Sequence, residues 1–69
     1  MHPREYTNSE ITRCISEHIH SQRDREILYK RLVDGLTFER LGEIFDMSDR
    51  QIKSIVYKNE QILFRHLPP

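Results

Sequence analysis

Three residues, Asp46-Met47-Ser48, separate two segments whose apolar side chains recur at helical spacing, and this gap constrains the chain more than any other feature of it. Before the gap, Phe38, Leu41, Ile44 and Phe45 define one inner face. After it, Ile52, Ile55, Val56, Ile62, Leu63 and Leu67 define another, with Asn59 on the same stripe. Both segments carry start signals. Thr37 stands as an N-cap, with Leu36 and Leu41 at the spacing of a hydrophobic staple. Ser48 and Gln51 have capping-box spacing, with Met47 and Ile52 as the staple. A turn of about three residues makes two helices cross steeply, at about 90–120°. An antiparallel helix hairpin also uses short loops, but Gly42 favours the steep crossing. Glycine inside a helix costs about 1 kcal/mol against alanine, and its presence is explained if the fourth helix passes so close to the third that a side chain would collide.

Similar signals place two helices upstream. Thr7 and Glu10 form a second capping-box pair, Tyr6 and Ile11 a staple, and Ile11, Cys14, Ile15, His18 and Ile19 one stripe. Ser21, spaced from Asp24 as an N-cap, opens a segment carrying Ile27, Leu28, Leu32 and Val33. Gly35 stops it, because glycine adopts the left-handed conformation without a Cβ penalty. Pro68 and Pro69 cannot extend the last helix. Strand signals are nearly absent. The expectation is an all-α, four-helix helix-turn-helix domain over residues 1–69, with helices at about 8–20, 22–34, 38–46 and 49–66.

A chain of 69 residues is one small domain. It buries only about 60% of the surface its unfolded form exposes, which leaves no room for a substrate cavity beside a core and argues against an enzyme. Eleven basic and eleven acidic residues balance, but from Ser48 onward Arg50, Lys53, Lys58 and Arg65 outnumber Asp49 and Glu60. The single cysteine, Cys14, permits no intramolecular disulfide and no Cys-based zinc motif. No apolar run approaches the ~18 residues of a membrane span, and Met1-His2-Pro3-Arg4-Glu5 lacks the apolar centre of a signal peptide. The chain reads as a complete cytoplasmic protein with no membrane attachment.

Arg25-Glu26-Ile27-Leu28, the run from Gly35 to Ser48, and Arg50-Gln51-Ile52-Lys53-Ser54-Ile55 together resemble region 4 of bacterial sigma factors over roughly residues 23 to 67, in gap lengths as well as residue types. Related patterns occur in LuxR-type DNA-binding domains. The resemblance implies a helical bundle whose last helix reads the major groove of a promoter element. Nothing in the chain resembles the domain with which a full sigma factor melts DNA, so a stand-alone, sigma-like protein of a bacterium or its phage is expected. Asp49 stands where the family typically has a basic residue, and Ser54 where it has a longer polar one, so the usual promoter sequence is not the expected target.

At about 100° per residue, the fourth helix sets Arg50, Lys53, Ser54, Tyr57 and Gln61 opposite its apolar stripe. Near the N-terminus of a recognition helix, that side touches base edges. Arg50 has the planar fork that matches guanine O6 and N7. Ser54 and Tyr57 are candidates for a base edge, a methyl or a sugar, and Lys53 and Lys58 for phosphates. Asp49 either accepts from a cytosine amino group or serves only the helix dipole. Thr37 and Arg40, at the start of the third helix, are candidate phosphate contacts, and Gln51 is committed to its capping box.

Other residues invite chemistry that the pattern does not support. Cys14 and His18 are four apart with His20 nearby, but a metal site would lack further ligands. Cys14 lies in an apolar stripe, unlike a reactive thiol. Glu39 and Glu43 share a helix face without a cleft. No catalytic residue, metal or cofactor is expected.

The expected partner is double-stranded DNA, bound as a transcription regulator. The alternative is a protein-interaction module of the same fold that binds RNA polymerase or another regulator without reading DNA. A homodimer is a further expectation, with outward-facing Phe64 and the first helix as candidate surfaces, because one small module makes few phosphate contacts.

Overall fold

Each helix begins where a side-chain oxygen accepts an N–H that the helix itself leaves unpaired. A computed structural model of the protein describes residues 6–67; the first five residues and the Pro68-Pro69 stop lie outside the described residues. Among the described residues there are four α-helices and no strand: α1 (Asn8–His18), α2 (Gln22–Leu28), α3 (Phe38–Phe45) and α4 (Asp49–His66). The N-caps Thr7, Ser21, Thr37 and Ser48 accept from the backbone N–H groups of Glu10, Asp24, Arg40 and Gln51. Thr7–Glu10 and Ser48–Gln51 are complete capping boxes, the Gln51 side-chain oxygen accepting from Ser48 N–H at 2.9 Å.

The core lies where α4 meets the other three helices. Ile15, Ile27, Leu28, Leu41, Ile52 and Leu63 are wholly buried, with Val56 almost so. The partners of the three staples, Tyr6, Ile11, Leu36 and Met47, are partly buried against this core. Asn59 is the polar residue of the stripe, only 4% exposed. Its Nδ2 donates to Asp24 Oδ2 at 3.2 Å and to the Ile55 carbonyl at 2.8 Å, so its burial carries the hydrogen bonds that a buried amide requires.

Three boundaries depart from the sequence reading. α1 stops at His18, about two residues early, because Ile19 turns to extended backbone and enters the core from outside the helix. That leaves His20 and Ser21 for the turn into α2. The second helix widens after Leu28 into a π-helical segment (Tyr29–Val33), in which Asp34 N–H donates to the Tyr29 carbonyl five residues back. α3 ends at Phe45, since Asp46 takes the left-handed conformation at φ 55°. Ile44, expected on the inner face of α3, is 44% exposed instead. Leu41 and Gly42 face the core, and Ile44 looks into a shallow cleft with Glu26, Tyr29, Lys30, Asp34 and Phe45.

The turn between α3 and α4 folds back on the helix that precedes it. Met47 N–H donates to the Gly42 carbonyl at 2.9 Å, the six-to-one bond of a Schellman-type ending. The same reversal brings the Met47 carbonyl oxygen within 2.5 Å of where a Cβ on Gly42 would stand. The collision expected with the body of the fourth helix is therefore a collision with the turn.

At the far end of α4, the His18 and His66 rings stack at 3.6 Å, 5° from parallel, and the buried Cys14 thiol donates to the Leu63 carbonyl at 3.7 Å. Burial, with a smaller contribution from Glu17, pushes the Cys14 thiol above its ordinary range. Among the described residues, no group of three or more His, Cys, Asp or Glu side chains is placed to hold a metal ion, and no helix is long and apolar enough to cross a membrane.

Candidate nucleic-acid interface

With Ile52, Val56, Asn59 and Leu63 buried, the helical period turns the opposite flank of α4 outward. Asp49, Arg50, Lys53, Ser54, Tyr57 and Lys58 are all exposed, Tyr57 to 52%. With Arg50 as the midline, Lys53 and Lys58 lie about 60° and 80° away on either side, at 100° per residue. A central arginine with a cation on each flank suits a groove bordered by two phosphate strands. Gln51 is held in the Ser48 capping box.

Asp49 is exposed but turned back. One of its carboxylate oxygens lies 3.6 Å from where a Cβ on Gly42 would be, so it sits against α3. A negative charge in the first turn of α4 is also favourable to the helix dipole.

The start of α3 borders the same face. Phe38, its first residue, meets Tyr57 with ring centroids 5.9 Å apart and planes at 79°, and Lys53 Nζ lies 5.7 Å from the Phe38 centroid. Thr37 caps α3, its hydroxyl accepting from Arg40 N–H at 3.1 Å. Arg40 is exposed and forms a long ion pair of 3.8 Å with Glu43, also exposed. Such a surface pair holds a side chain weakly, by about 0–1 kcal/mol, and leaves Arg40 available. Phe64 is 60% exposed, farther along the flank of α4 that carries Arg50 and Tyr57.

Sequence reasoning missed Arg31. From the π-helical segment its Nη1 donates to the Leu36 carbonyl at 2.8 Å, and its guanidinium carbon lies 4.1 Å from the Phe38 ring centroid. The sequence pattern places Phe38 only on the inner face of α3. The available signal was the aromatic residue directly after the Thr37 cap, a position that faces the second helix and the fourth at once.

Comparison with known families gives a match. The model of the family described as sigma-70, region 4 matches residues 21–58, more than half of the chain. The match runs from the cap of α2 through the first ten residues of α4 and leaves α1 outside. Comparisons with curated proteins and with solved structures give no match.

Proposed function

The chain belongs to the sigma-70 region 4 family, and from that premise we propose that it is a sequence-specific regulator of transcription that binds duplex DNA through the outer face of α4. The observation that carries this reading is the joint exposure of Arg50, Lys53, Ser54, Tyr57 and Lys58 on one flank, beside the start of α3.

The N-terminal half of α4 enters the major groove. Arg50 donates to O6 and N7 of a guanine. Ser54 and Tyr57 meet a base edge, a thymine methyl or a sugar. Lys53 and Lys58 neutralise phosphates on the two sides of the groove and set position without reading sequence. The N-terminus of α3 and Arg40 add a phosphate contact, while Asp49 serves the helix dipole. The protein acts in the cytoplasm by occupying a promoter region, either blocking polymerase or recruiting it, and performs no catalysis.

A second reading rests on the exposed Ile44. It lies in a cleft of about 320 Å³ with Tyr29 and Phe45, formed by α2, the π-helical segment and α3 rather than by the outer flank of α4. In that reading the same fold docks on RNA polymerase or another regulator without reading DNA.

Selection from randomised duplexes, followed by a salt titration on the winning sequence, separates the two. DNA reading predicts an enriched motif and a log–log salt slope of about −0.9 per phosphate neutralised, for about three to five phosphates per subunit. Arg50→Ala is expected to cost about 1–3 kcal/mol on that motif and to relax one base pair, whereas Lys58→Ala weakens all sequences alike. No enriched motif and a flat salt dependence would shift the assignment to the second reading.

A further inference from the structure

We infer that Arg31 and Phe38, both outside the recognition helix, are positioning residues that fix Tyr57 in the orientation that reads DNA and Lys53 in the one that meets a phosphate. The inference rests on the DNA-binding reading of α4 and names a determinant of its specificity.

The chain of contacts is continuous. Arg31 is anchored by its bond to the Leu36 carbonyl, at the turn that delivers the chain to α3. Its guanidinium, 4.1 Å from the Phe38 centroid, has the geometry in which a planar cation is attracted to an aromatic face. Phe38 cannot drift along the chain, because the Thr37 cap fixes the first turn of α3 beneath it. The Phe38 ring meets Tyr57 edge-on at 5.9 Å and 79°, an arrangement that aromatic quadrupoles favour and that depends on ring orientation. Lys53, one turn before Tyr57, brings its ammonium to 5.7 Å from the same ring.

An exposed tyrosine or lysine on a helix ordinarily samples several rotamers. Here both lean on a ring that is itself held from behind. Tyr57 and Lys53 thus meet the duplex with part of their ordering already accomplished, which favours one base-pair geometry over its alternatives. Arg50, on the midline of the face, stands outside this line of contacts and is independent of the brace.

The test compares wild type with Phe38→Leu, Phe38→Tyr and Arg31→Lys. In the free protein, the Tyr57 ring protons are shifted by the Phe38 ring current. Phe38→Leu abolishes that shift and Phe38→Tyr restores it. Arg31→Lys reduces it, since one ammonium cannot both cap Leu36 and stack. On duplexes carrying each base pair at the position beneath Tyr57, Phe38→Leu loses about tenfold in discrimination. Discrimination at the pair read by Arg50 is unchanged. Should Phe38→Leu fail to fold, Arg31→Lys makes the same comparison with the ring in place. A folded variant whose base preferences match wild type overturns the brace, and so does a uniform loss of affinity with preferences preserved. A wild-type protein that binds no duplex at all instead defeats the DNA-binding reading, and the brace as a determinant of specificity with it.

Discussion

The turn before α3 and the turn after it each depend on a glycine, and for opposite reasons. Gly35 has a φ of +74° and open space around it, with no atom beyond its own chain neighbours within 4 Å of an added Cβ. It is needed for its backbone, as the chain leaves the π-helical segment. Gly42 is helical and crowded, with the Met47 carbonyl oxygen 2.5 Å from the Cβ it lacks. It is needed for its missing atom. The first turn is a conformational requirement met locally, while the second is a packing requirement that fixes how α4 leaves α3. A protein that presents one helix flank to a ligand has most to gain from rigidity at the second.

The comparison breaks most readily at Gly42. Gly42→Leu is expected to cost about 3 kcal/mol or more, because the clash is with backbone and not with a movable side chain. In a domain this small that shifts Tm by more than about 10 °C. Gly42→Ala is the sharper case, since helix propensity alone predicts a gain of about 1 kcal/mol. The close approach reverses that sign, and a thermal melt with Tm above wild type would refute the close turn. At Gly35 the expected effects are smaller. Gly35→Ala costs about 1 kcal/mol for its positive φ, and Gly35→Asn about half of that, since asparagine tolerates the left-handed region. Equal losses for Ala and Asn in urea unfolding would mean that space, not φ, governs there too.

The smallest effect concerns Arg31, the brace of the first turn. Burial raises the pKa of the neighbouring Glu60 carboxyl, and Arg31 pulls it partly back. A carboxyl that holds its proton more tightly folded than unfolded loses stability as pH rises past its unfolded value. Glu60→Gln is therefore expected to raise Tm slightly at pH 7 and to leave it unchanged below about pH 4, where the ordinary carboxylate is protonated. A lower Tm at pH 7 would show that attraction to Arg31 outweighs the burial.

The second turn was more legible in the sequence than the first. Ser48, Gln51, Met47 and Ile52 act through neighbours three to five residues away, and Gly42 is conspicuous in a short helix. The cause assigned to Gly42 was displaced by one element, because periodicity shows that space is short without showing which atom occupies it. The π-helical widening after Leu28 left no such mark, as Tyr29 to Val33 read as ordinary helix. Ile44 was misplaced because an eight-residue helix with Leu41 and Gly42 turned inward cannot bury every apolar residue on its stripe. On the candidate interface, the outward flank of α4 followed from its period. The Arg31–Phe38–Tyr57 line did not, because it joins three elements through side chains seven and nineteen residues apart.

Chemical-shift mapping of the isotopically labelled chain, titrated with its selected duplex, tests the central claim most directly. The account predicts perturbed backbone amides at Thr37–Arg40 and over Asp49–Lys58, with those of α1 unchanged. Perturbations concentrated on α1 or around Ile44, with Arg50 to Tyr57 unmoved, would contradict it.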